Sequence, residues 1–233
     1  MLTITLLLAI ALANPKPEVK MSVIDGSAPG GPFTLSGSVA AIDRPSDAFR
    51  YSFHGSLSAK NLSGKDIVLL VIKMDVTGAN KIDINDTEEC DYFFASDIFE
   101  RNGTRTFGED WGPFGAPKAP VDGRPTRPRA VARVVFAQFA DGSTWGDPMA
   151  GKSVLSERTL TYSKLRSLAE TYQQKGARIF ADELNEPSDL AELRNLQRLY
   201  TQNGKNAGAV FKRIIRVLEN ADLHRLNMGV QKP

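Results

Sequence analysis

Two histidines, one cysteine, two tryptophans and one dense group of carboxylates are the side chains of this 233-residue chain best suited to chemistry. Only His54 and His224 offer an imidazole base near neutral pH. His54-Gly55-Ser56 sets an imidazole beside a hydroxyl. Nucleophilic triads arise by convergence in space, however, and no Gly-x-Ser-x-Gly elbow accompanies the pair. His54 therefore reads as a solvent-facing strand residue. Cys90 stands among Asp86, Glu88, Glu89 and Asp91, and negative neighbours raise a thiol pKa. It reads as unreactive, and as the only cysteine it has no intrachain disulfide partner.

The acidic group Asp83, Asp86, Glu88, Glu89 and Asp91 is the place where a hard cation such as calcium would find several oxygens. Its spacing lacks the EF-hand pattern and turn glycine. The favoured reading is a solvated acidic loop that keeps a sheet edge from pairing. Trp111-Gly112 and Trp145-Gly146 lie at strand ends, where exposed aromatics bind carbohydrate or protein and half-buried ones close a core. Asn61-Leu62-Ser63, Asn85-Asp86-Thr87 and Asn102-Gly103-Thr104 match glycosylation acceptors but read first as turns. No phosphate-cradling glycine motif occurs. The residues thus assign no catalytic group, no metal ligand and no cofactor, and leave the binding residues unknown.

The elements that must position these groups follow from a change of apolar period near residue 150. Phe49–Leu57 and Arg133–Phe139 alternate in period two, as half-buried strands do; beyond residue 150 leucines and tyrosines recur every three or four residues, as helices require. Strands are expected at Val19–Ile24, Phe33–Ile42, Phe49–Leu57, Tyr92–Phe99 and Thr104–Phe107. Ile67–Val76 is apolar on both faces until Lys73, the mark of a central strand. Arg129–Phe139 leads into Asp141-Gly142, a hairpin signal, with Thr144 and Trp145 beginning the return. About seven short strands at this spacing favour a two-sheet sandwich over a barrel. Gly112–Pro128 reads as a crossing between sheets, although Pro117-Lys118-Ala119-Pro120 has the PxxP spacing of a polyproline ligand.

In the second part, Leu155, Tyr162, Leu165, Leu168, Ala169 and Tyr172 form an apolar stripe, and Gly176 is placed to end that helix with a left-handed cap. Ala177–Leu184 is a short helix stopped by Pro187. Ser188 is expected to cap the next, whose stripe is Leu190, Leu193, Leu196, Leu199 and Tyr200, up to Gly204. Phe211, Ile214, Val217, Leu218, Ala221 and Leu226 give a last helix. Leu165–Gly176 repeats as Leu193–Gly204 at an offset of 28, with Leu, Arg, Leu, Tyr, Gln and Gly in register. This Leu-x-x-Tyr-like spacing before a glycine, with Ala181 and Ala209 in the following helices, resembles a degenerate tetratricopeptide-like helical-hairpin pair. Ligand-groove residues do not carry over.

From about Phe53 to Asp147 the chain resembles the Ig-like, FxLYD-type sandwich modules of exported bacterial proteins. The resemblance rests on Asn61-Leu62-Ser63-Gly64-Lys65-Asp66-Ile67 leading into a long apolar strand, then Asp75 and Gly78. It implies a β-sandwich and no activity. The expected fold class is mainly-β plus α in two segregated parts: a signal-peptide-like leader over 1–13, an Ig-like β-sandwich over 18–149 and a small bundle of helical hairpins over 152–229.

Leu2–Ala13 is apolar and ends in small residues before Asn14-Pro15, the pattern of an export leader. Twelve such residues rise about 18 Å as a helix, short of a hydrocarbon core of about 30 Å, so no stable transmembrane anchor is expected after its removal. A buried N-terminal strand around Thr3, Ile4 and Thr5 is the alternative. Lys and Arg number 29 against 27 Asp and Glu, which leaves no basic excess for a dedicated nucleic-acid binder. To residue 150 there are 15 basic and 18 acidic residues, and beyond it 14 and 9. The expected function is an exported (periplasmic or secreted) non-enzymatic interaction or scaffold protein. Its partner would be another protein, meeting the helices or the groove between the two parts. The alternatives are a carbohydrate-binding or carbohydrate-processing envelope protein using carboxylates near Trp111 or Trp145, and a structural subunit pairing edge to edge through Arg129–Trp145.

Overall fold

The computed structural model describes residues 19–43, 51–79, 82–108, 110–114 and 129–228. The leader and the PxxP segment lie outside them. Among the described residues nine strands precede three helices: β1 (Val19–Asp25), β2 (Phe33–Asp43), β3 (Tyr51–Asn61), β4 (Ile67–Ala79), β5 (Ile82–Asp91), β6 (Thr104–Phe107), β7 (Asp110–Phe114), β8 (Arg129–Phe139), β9 (Thr144–Gly146), α1 (Pro148–Leu184), α2 (Ala191–Gln202) and α3 (Ala207–Asn227). The change of period near residue 150 is therefore the passage from strand to helix.

The strands form one mixed sheet in the order β5-β4-β8-β1-β2-β3-β6, with β7 on β3 and β9 on β8. β1 joins its two halves: Val19–Ser22 pair antiparallel with β2, and Val23–Asp25 pair parallel with β8. The sheet curls so that Phe33, Leu35, Val39 and Leu57 from one half share a core with Leu70, Ile72, Ala132 and Val134 from the other. Alternation does this work: in β2, Phe33 and Leu35 are buried while Thr34 and Ser36 are exposed.

β4 lies between β5 and β8 and is buried on both faces, as its continuous apolar run requires. Leu70, Ile72 and Met74 enter the inner core, whereas Leu69 and Val71 face outward beneath α1 with Phe136 and Val154. A bulge in the β4–β8 ladder pairs Val71 with Phe136 and Ile72 with Val134. The extra residue, Val135, turns Phe136 to the outer face while Val134 and Ala137 stay inside. α1 settles on that ring through Gly151, where an added Cβ would stand 2.4 Å from the Phe136 ring.

Several expectations need correction. The acidic segment is not a loop: Ile82–Asp91 is edge strand β5, paired with β4 from Val76↔Ile84 to Leu69↔Asp91. Its charges stand on the sheet edge itself, which still discourages pairing there. Tyr92–Phe99 is not a strand; it is a loop that returns to the sheet at one bridge, Phe99 to Ile67. β8 is flanked by β4 on one side and by β1 and β9 on the other, so an edge-to-edge contact through Arg129–Trp145 would fall to β9, which pairs only with β8 among the described strands.

In the helices, Asp147 caps α1 by accepting from the Met149 N–H at 2.9 Å, with Pro148 at the first position. Gly176 interrupts α1 with φ 83° and ψ 176°, so the expected break is present as a kink between two helical stretches. Gly204, its repeat equivalent, has φ 61° and lies just beyond α2. Leu165 and Leu168 of the first copy are buried, as are Leu193 and Leu196 of the second. Ser188 does not cap α2: Leu190 holds that position, and Ser188 Oγ accepts only from the Leu190 N–H at 3.2 Å. Leu226 leaves the expected stripe and is 73% exposed.

Candidate functional site

The β and α parts meet at a polar junction centred on Arg158. This residue occupies a stripe position of α1, four before Tyr162 and seven before Leu165, and is buried with them. A buried guanidinium needs partners on each donor face. Asp91, the last residue of β5, supplies both carboxylate oxygens, at 3.1 Å from Nε and 2.8 Å from Nη2, and Gln138 of β8 accepts from Nη1. The Phe93 ring lies 4.4 Å from the guanidinium carbon, so the cation also stacks on an aromatic face.

Asp91 also shapes the loop behind it, accepting from the Phe93 N–H at 3.0 Å. Phe93 and Phe94 thereby leave the sheet and pack into the helical core with Leu165, Val217 and Ala221. Asn220 of α3 donates to the Phe94 carbonyl at 3.3 Å, and His224 lies against the Phe93 ring at 6.0 Å. The His224 Nδ1 is buried with no partner among the described residues. Burial holds its imidazole below the ordinary range; the Ala95 carbonyl opposes that shift, the Arg158 charge adds to it and Asp91 opposes it.

A cleft of about 240 Å³ opens above this junction, between β5, the Phe94 loop, α1 and α2. Glu89, Glu157 and Glu192 line it together with the ion pair of Asp91 and Arg158. Because Arg158 is matched by Asp91, the charge left over is that of the three glutamates. Burial raises the Glu89 pKa above the carboxylate norm; Ser153, whose Oγ is 3.5 Å from Oε1, lowers it, while Glu157 and Asp91 raise it further. Glu157 accepts from the Ala191 N–H at the start of α2, at 3.4 Å. Phe94 and Val154 provide apolar wall.

Thr161 completes the lining and is only 3% exposed. Mid-helix threonines usually return a hydrogen bond to the carbonyl four residues back, as Thr159 does to Leu155 and Thr201 to Gln197. The Thr161 hydroxyl makes no hydrogen bond among the described residues. It is a buried side chain whose polar end is left toward the cleft.

The residues singled out by type fall in different places. His54 and Ser56 are exposed on β3, opposite Ala40 and Ser38, while His224 is buried among the helices. Cys90 turns toward the inner core, where burial and then Glu88 push its thiol up to about 12. Asn61 is fully buried and locked by hydrogen bonds to the Lys65 and Glu100 carbonyls, a structural turn and not an acceptor for glycan. Asn102 is a turn residue with φ 58°, whereas Asn85 is a strand residue bonded to Asp75. The Trp145 ring is half-buried edge-on to Phe33 at 5.3 Å and closes the core. Trp111 belongs to β7, opposite Phe53.

Of the acidic group, Glu89 and Asp91 reach the cleft and Glu88 does not. No three His, Cys, Asp or Glu side chains among the described residues converge closely enough to hold a metal ion. No helix among them is long and apolar enough to cross a membrane. Sequence reasoning missed Arg158, Thr161 and Phe94. The signal available for Arg158 was a basic residue in register with an apolar stripe, and for Phe94 an aromatic pair directly after a charged run. No family model matches the chain, nor does any curated protein or solved structure.

Proposed function

We propose that this chain is a non-enzymatic interaction module of an exported protein, and that its partner is another protein seated where β5 meets α1 and α2. The observation that carries this reading is the cleft itself. Three elements contribute to it, its floor is fixed by the Arg158–Asp91–Gln138 network, and its lining carries three glutamates and Thr161. Preorganised polar groups beside an apolar wall are what a docking site needs.

The same reading takes the curled sheet as an Ig-like β-sandwich serving as scaffold. Its support is the single core enclosed between the β1–β3 half and the β4–β8 half. Export rests on the apolar Leu2–Ala13 run and is decided by the intact mass and cellular fraction of the protein. The docking surface is tested by a photo-crosslinking residue placed at Asn195 on the cleft rim, with one at exposed Lys60 on β3 as control. The expected result is one defined protein adduct from position 195 and none from position 60. Equal labelling from both positions would remove the cleft from the account.

A further inference from the structure

The chemistry of the cleft identifies what kind of group it accepts. Resting on the docking reading above, we infer that it takes the ammonium or guanidinium end of a single basic side chain presented by the partner polypeptide. Four features point there together. The uncompensated charge is negative and comes from three elements, Glu89 on β5, Glu157 on α1 and Glu192 on α2. The Thr161 hydroxyl, on a side chain 3% exposed, lacks the hydrogen bond that Thr159 and Thr201 make and so leaves an oxygen to receive a donor. Phe94 and Val154 give a lysine or arginine stem the apolar surface along which such chains lie. The volume, about 240 Å³, suits one side chain and is below the range of about 300–1,000 Å³ usual for drug-sized ligands.

The carboxylates are too dispersed to converge on a metal ion, as found for every such group among the described residues. An ammonium with three donors, or a guanidinium with five, needs no such convergence, because one carboxylate together with neutral acceptors can satisfy it. The raised Glu89 pKa belongs to the same picture. Burial, and after it Glu157 and Asp91, raise that pKa, and a cation seated beside the carboxylate would act against the rise.

The test is a titration of the full, isotopically labelled protein followed through its backbone amides, with acetylated and amidated Gly-Lys-Gly, Gly-Arg-Gly and Gly-norleucine-Gly as probes and spermidine as a free polyamine. The lysine or arginine peptide is expected to shift the amides of Val154, Thr161 and Asn195 saturably, and the norleucine peptide to leave them in place. Glu89→Gln combined with Glu157→Gln, the second of which keeps the acceptor for the Ala191 N–H, is expected to weaken binding by about tenfold, and Thr161→Val by about threefold. Unchanged amide spectra outside the cleft verify that these variants fold. Equal response to norleucine, no response to either basic peptide, or indifference to the paired substitution overturns the inference. Binding of spermidine with lysine ignored overturns the polypeptide source. A partner adduct at position 195 without selectivity for basic peptides would defeat this inference and leave the docking reading intact, whereas selective peptide binding with no adduct would do the reverse.

Discussion

The inner core of the curled sheet and the junction between sheet and helices hold the molecule together in opposite ways. The core is apolar throughout, built by alternate residues of neighbouring strands, and its partners are interchangeable in kind: Ile72, Val134 and Leu57 differ in shape and not in chemistry. The junction is built from unlike groups, each suited to one partner: a guanidinium, a carboxylate, a carboxamide, two phenyl rings and an imidazole. Burial drives both, but only the junction leaves polar groups over, and the cleft lies there. The sheet is thus held by like groups and the junction by unlike ones, with the cleft placed where the packing is least uniform.

The contrast breaks first at the core. Phe99 is 1% exposed, packs edge-on to Phe107 and anchors the end of the loop that begins at Phe93. Phe99→Ala is expected to cost about 3–5 kcal/mol in chemical denaturation, lowering the stability of sheet and helices alike. A loss confined to the helices would mean that Phe99 does not anchor the sheet core.

A smaller effect sharpens the description of the junction. His224 is a base whose folded pKa is depressed, so at a pH below about 6.5 the unfolded chain takes a proton that the folded chain refuses. Its contribution is present in full above that value and erodes as pH falls toward the folded pKa. Glu88 and Glu89 act in the other direction, since raised carboxylate pKa values favour the fold at low pH and lose that advantage as pH rises from about 4.5. Denaturation midpoints measured across this window should fall less steeply with acidification in His224→Gln than in the unaltered protein. Identical slopes would show that the imidazole is not desolvated.

How much of this the sequence discloses follows the same division. β2, β6 and β8 are legible because alternation is a local property, β4 because a run apolar on both faces marks a central strand, and Gly176 and Gly204 because a positive φ selects glycine wherever the chain needs it. β5 hides because charges stand on both of its faces, Asp86 and Glu88 on one and Glu89 and Asp91 on the other, which resembles a solvated loop until β4 is known to lie beside it. The bulge at Val135 hides for a related reason: one residue out of step inside an apolar run leaves no trace in composition, yet it alone turns Phe136 toward α1. The cleft hides most fully. Glu89, Glu157 and Glu192 are 68 and 35 residues apart along the chain, and nothing local marks them as neighbours.

The central claim is that the helices are fastened to the sheet edge through Asp91 and Arg158, and the most direct test is a double-mutant cycle on that pair. Asp91→Asn, Arg158→Met and the two together would be compared by denaturation, with hydrogen exchange at α1 as a local readout. The account requires a coupling energy of about 2 kcal/mol and loss of α1 protection in each single variant. Additivity to within about 0.5 kcal/mol, with α1 protection unchanged, would contradict it.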